Sequence, residues 1–64
     1  MKFKRYYFKD VFEELVYFTF EYEVTLKEVL ESILSSEEDY VYVKTKTVYE
    51  SDLDSEEKER LIGN

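Results

Sequence analysis

The spacing of hydrophobic positions along this 64-residue chain changes several times, and each change marks an element. "TLKEVLESILSS" (Thr25–Ser36) carries the clearest pattern. Leu26, Val29, Leu30, Ile33 and Leu34 recur at i, i+3, i+4, i+7 and i+8, the stripe of an amphipathic helix. Thr25 and Glu28 have capping-box spacing, which satisfies free N–H groups where a helix starts. "LVYFTFEYEV" (Leu15–Val24) has period two instead. Val16, Phe18, Phe20, Tyr22 and Val24 share one face, and Tyr17, Thr19, Glu21 and Glu23 share the other, which predicts a strand with one core side. "YVYVKTKTVY" (Tyr40–Tyr49) also alternates, with Val41, Val43, Thr45 and Thr47 on one face and Tyr40, Tyr42, Lys44, Lys46 and Val48 on the other. "KFKRYYFK" (Lys2–Lys9) is aromatic and extended in character, with lysines suited to guarding a sheet edge. In "DVFEE" (Asp10–Glu14), Asp10 and Glu13 have the spacing for a single helical turn. "DSEEKERLI" (Asp54–Ile62) reads as a short helix. Asp54 and Glu57 form a second capping box, acids fill the first turn, and Gly63 stands where a helix stop belongs.

These elements predict one small α+β domain over residues 1–64. Its order is a β-β-α-β sheet with the central helix on one face, and a short C-terminal helix. Leu26, Val29, Leu30, Ile33 and Leu34 are expected to face Val16, Phe18 and Phe20.

So short a chain buries only about 60% of its unfolded surface, and small scaffolds need a staple or dense packing. No cysteine is present to form a disulfide or a thiolate metal site, so the twelve aromatic rings, seven Tyr and five Phe, must supply the burial. Histidine is absent too, which removes the commonest acid–base group and metal ligand. No apolar run approaches the roughly 20 residues of a membrane helix, and the N-terminal stretch lacks the apolar core of a signal peptide. The expectation is a cytoplasmic protein without membrane contact.

Charge is distributed unevenly. Lys2, Lys4, Arg5 and Lys9 give residues 1–9 a charge of +4; the other five cations and all sixteen acids give the remainder −11. "YESDLDSEEKER" (Tyr49–Arg60) alone holds Glu50, Asp52, Asp54, Glu56, Glu57 and Glu59, answered only by Lys58 and Arg60. A calcium loop needs Gly at its sixth position and Glu at its twelfth. Counted from Asp52 those places hold Glu57 and Gly63, and counted from Glu50 they hold Ser55 and Leu61, so neither register fits. No cofactor motif occurs, and carboxylates on outer faces have nothing to drive their pKa values apart for acid–base work. The expectation is a non-enzyme with no metal and no cofactor.

"KFKRYYFK" interleaves cations with rings as single-strand nucleic-acid binders do, but the −11 of the remaining chain repels phosphate, so direct nucleic-acid binding is not expected. Lys44 and Lys46 are read as cross-strand partners of Glu21 and Glu23. Tyr17, Tyr40 and Tyr42 fall together on the face opposite the central helix. They form either an interface or a surface closed over by the terminal helix through Leu53, Leu61 and Ile62.

The acids have a solvation reading and a partner reading. Glu37, Glu38 and Asp39 form one cluster, and Glu50, Asp52, Asp54, Glu56, Glu57 and Glu59 form a second. In an extended chain Glu50, Asp52 and Asp54 share a face at about 6.6 Å spacing, comparable with successive phosphates. In size, charge and layout the chain resembles the small acidic inhibitors of phages and mobile elements, the anti-CRISPR and DNA-mimic class. The resemblance implies that both acidic clusters occupy the basic nucleic-acid channel of a host enzyme. The alternatives are a homodimer formed through Tyr17, Tyr40 and Tyr42, or an antitoxin-like neutraliser of a basic toxin.

Overall fold

The computed structural model describes residues 1–34 and 39–63. Strands β1 (Lys2–Lys9) and β2 (Leu15–Glu21) are followed by helix α1 (Leu26–Leu34) and strand β3 (Val41–Tyr49). A 3-10 turn (Glu50–Asp52) and helix α2 (Ser55–Leu61) complete the chain. The result is a small α+β fold, a three-stranded antiparallel sheet with two helices. The strand order is β2-β1-β3. The basic first strand, expected at an edge, is therefore the central one, and β2 and β3 are the edges. Its four rings explain this placement: only a central strand lays side chains against neighbours on both sides.

Residues 10–14 form a tight hairpin loop rather than a helical turn. Asp10 Oδ1 accepts from the N–H groups of Phe12 (2.8 Å) and Glu14 (3.0 Å), and the Asp10 N–H donates to the Glu14 carbonyl at 3.1 Å. Glu13 takes φ 61°, a left-handed conformation that a non-glycine residue adopts at some cost.

Each sheet face carries a helix. α1 packs on one as expected. On the other, Leu53 and Leu61 close over part of the sheet, one of the two alternatives for that face, while Ile62 stays exposed. On the first face, Tyr6 and Phe8 of β1 are buried against Val29 and Ile33 of α1, with Val16, Phe18, Phe20 and Leu30 packed around them. The deepest helix positions are thus Val29 and Ile33, and Leu30 lies at their margin. Thr25 caps α1 as its spacing predicts. Its hydroxyl accepts from the Glu28 N–H at 3.3 Å, and the Glu28 carboxylate accepts from the Thr25 N–H at 3.2 Å. The Tyr6 hydroxyl, carried into this core, donates to the Val24 carbonyl at 2.8 Å. On the second face, Phe3, Val48 and Leu53 are buried together with Leu61 of α2 packed on them. Burying a side chain of this size contributes about 1.5–3 kcal/mol, so two small cores sharing one strand are economical for so short a chain.

Pairing of β1 with β3 slips by one residue between Tyr7 and Phe8: Tyr7 pairs with Lys44, whereas Phe8 pairs with Tyr42. Val43 is the extra residue of a β-bulge, and it reverses the alternation of β3. Thr45 and Thr47 consequently share the α1 face with Tyr42, while Lys44, Lys46 and Val48 lie on the α2 face. No helix among the described residues is long and apolar enough to cross a membrane.

Candidate functional site

The acidic stretch from Glu50 to Glu59 is not an extended row. After Tyr49 the chain turns into a 3-10 helix and then into α2, which scatters Glu50, Asp52 and Asp54. Three of its six acids have structural partners. Asp52 accepts from the Tyr49 N–H at 2.9 Å and closes the 3-10 turn. Asp54 is the N-cap of α2, accepting from the Glu57 N–H at 2.8 Å. Glu57 points inward from the first turn of α2 onto the sheet. There it pairs with Arg5 Nη2 at 3.0 Å and accepts from the Thr19 hydroxyl. Arg5 Nε donates to the same Thr19 hydroxyl at 3.1 Å, so β1, β2 and α2 meet at one polar knot with side chains 13% (Arg5) and 11% (Glu57) exposed. Burial disfavours the charged guanidinium, but neighbouring Tyr7 and Glu57 outweigh it and hold Arg5 above its ordinary pKa.

Glu50, Glu56 and Glu59 are left exposed. Glu50 and Glu59 line one hollow with Lys58 and Ile62, and Glu56 lines the cleft between α2 and β2 beside Tyr17. The exposed Asp39 lies before β3, whereas Glu50 follows it. Nine extended residues, roughly 30 Å of chain, separate the two acidic groups. Glu37 and Glu38 lie outside the described residues, as does the expected end of the central helix at Ser35–Ser36.

The three tyrosines do not share a face. Tyr17 lies on the α2 side, with Arg5 over its ring at 4.4 Å and Tyr7 at 5.7 Å. Tyr40 and Tyr42 lie on the α1 side, in ring contact with Phe8 at 6.1 and 5.8 Å. The bulge at Val43 is the cause, because it turns Tyr42 away from the face that strict alternation assigns it.

The cations reveal something that charge counting along the sequence misses. Lys2 and Lys4 sit over the Tyr22 ring at 5.2 and 4.9 Å, Lys44 over Tyr7 at 5.1 Å, and Arg60 donates to the Thr19 carbonyl at 3.0 Å. Lys44 and Lys46 pair across the sheet with Tyr7 and Arg5 of β1, not with Glu21 and Glu23, which are on the far side. Among the described residues Arg5–Glu57 is the only ion pair. Lys2, Lys4, Arg5, Lys44 and Arg60 are thus spent on rings, Glu57 or backbone, and the exposed carboxylates among the described residues have no ion-pair partner. Among the described residues no three acids gather closely enough to hold a metal ion. No family model matches the chain, and neither a curated protein nor a solved structure matches it.

Proposed function

We propose that this protein is a small inhibitor that binds a basic, nucleic-acid-handling protein through its exposed carboxylates. One observation carries the reading: among the described residues only Glu57 is in an ion pair, while Lys2, Lys4, Lys44 and Arg60 sit on tyrosine rings or the Thr19 carbonyl, so Glu50, Glu56 and Glu59 have no ion-pair partner. A surface left in this state steers a basic partner from a distance and pairs with its Arg and Lys on contact. The contact residues on α2 and the turn before it are Glu50, Glu56 and Glu59. Asp52, Asp54 and Glu57 serve the fold instead, so neutralising them would test stability rather than binding.

The test is a variant carrying Glu50→Gln, Glu56→Gln and Glu59→Gln together. A partner is first captured from lysate and purified, and its affinity for wild type and variant is measured at two salt concentrations. The variant is expected to bind at least about tenfold more weakly, a loss of roughly 1.4 kcal/mol, and wild-type binding to weaken as salt rises. Nucleic acid is expected to displace the protein, because both use the same cations. Equal affinity of variant and wild type, or simultaneous binding of nucleic acid and protein, overturns the proposal.

A further inference from the structure

Helix α2 covers only half of its sheet face. Counted from the hairpin end, the rows across that face are Leu15–Lys9–Val41, Tyr17–Tyr7–Lys44, Thr19–Arg5–Lys46 and Glu21–Phe3–Val48. Glu57 and Arg60 reach the third row, while Leu53 and Leu61 cover the fourth. The first two rows lie beyond the helix: Leu15 is 55% exposed, Tyr17 46% and Val41 68%, while Tyr7 is half-buried between Tyr17 and Lys44. One face therefore carries a helical ridge next to a flat step. The ridge presents exposed Ser55, Glu59 and Ile62, with Lys58 beside Glu59 and with Glu56 on its flank towards Tyr17. The step is apolar and tyrosine-rich, its cations are Lys9 and Lys44, and Lys46 of the third row stands at its border.

We infer that this face is an interface between two copies of the chain, related by a two-fold axis, with the α2 ridge of each seated on the step of the other. A two-fold interface needs one patch to match another on the same surface, each used once by each copy. Ridge and step meet that need in shape, and the acids of the ridge meet the lysines of the step in charge. A single-stranded nucleic acid fits less well. Tyr7 and Tyr17 pack on each other and each already carries a cation, so neither stands free for a base. The molecule measures 32 × 21 × 20 Å, so such a face offers roughly 600 Å2 per copy, below the roughly 800 Å2 of a standard interface. The dimer is accordingly weak and concentration-dependent. It shares Glu56 and Glu59 with the proposed partner-binding surface, so dimer and complex exclude one another, but its test needs only this chain.

The experiment uses two variants, one with Lys44→Glu and Lys46→Glu and one with Glu56→Lys and Glu59→Lys. Sedimentation is followed from about 10 µM to about 1 mM, the range in which weak interfaces form. Wild type is expected to move towards twice the monomer mass, and each variant alone to stay monomeric. Their equimolar mixture is expected to dimerise, because both half-interfaces then join opposite charges. Wild type that stays monomeric overturns the inference, as does a mixture that stays monomeric. Dimerisation of the Glu56→Lys, Glu59→Lys variant at least as strong as wild type also overturns it. That result would mean that relief of net charge, not pairing across the interface, governs association. Should a variant melt below wild type, NMR dilution of wild type decides. Concentration-dependent shifts must fall on Tyr7, Tyr17, Lys44 and Glu59, and shifts confined to α1 refute the interface.

Discussion

Replacing Glu57 by glutamine keeps the side chain's size and an acceptor oxygen for Thr19, and removes one charge. Arg5 is left with an unpaired cation whose side chain is only 13% exposed. Breaking a fully buried ion pair from one side costs about 3–5 kcal/mol, and hydrogen bonds to charged groups contribute about 1.5–3 kcal/mol. With partial solvent access and the amide retained, the expected loss is about 2–3 kcal/mol. A domain of 64 residues has a total stability of roughly 3–10 kcal/mol, so this is a large share. The assay is urea unfolding followed by circular dichroism. With a slope near 1 kcal/mol per molar for a domain this small, the midpoint should fall by about 2–3 M. The double variant Arg5→Met, Glu57→Leu should recover part of that loss, because no lone charge is then buried. A Glu57→Gln midpoint within about 0.5 M of wild type, or strictly additive effects at the two positions, would show that the knot does not hold α2 to the sheet.

Ile33→Ala should cost about 2–5 kcal/mol by opening a cavity, and Leu30→Ala distinctly less, since Leu30 sits at the margin of the same core; equal losses in thermal melts would contradict the assigned helix face. Burial first, then the neighbouring Tyr42 and Glu28, raises the pKa of Tyr6 above its ordinary value of 10.0. The unfolded chain releases that proton earlier, so its contribution to stability is complete below about pH 10 and is lost as pH rises through the folded value. Ultraviolet titration should show a late phenol that is absent in Tyr6→Phe, a variant that also loses about 1 kcal/mol with the Val24 hydrogen bond.

What could be read from sequence was local. The capping boxes at Thr25–Glu28 and Asp54–Glu57 announce both helices, because each depends on groups three residues apart. The alternation of β2 identifies its inner face for the same reason. The long-range arrangement was not readable in this way. Nothing near Lys2–Lys9 says that it pairs on both sides, and the bulge at Val43 leaves no mark of Gly or Pro. Glu57 looked like one acid among six, because its partner Arg5 lies 52 residues away. The exposed row imagined for Glu50, Asp52 and Asp54 failed where the chain left the strand after Tyr49, a turn driven by Asp52 closing back on the Tyr49 N–H.

The central position of β1 also sets the order in which the protein can be made. During synthesis β1 emerges first and meets β2 after a five-residue loop, yet a lone hairpin is at best marginal in water. Its second partner arrives much later: Lys2 pairs with Tyr49, and Arg5 waits for Glu57. Until those residues leave the ribosome, the most aromatic strand of the chain has one edge and one face open to whatever is nearby. Its lysines and arginine, harmless in the finished sheet, are then the charges on the open edge that keep the nascent hairpin from pairing with another chain.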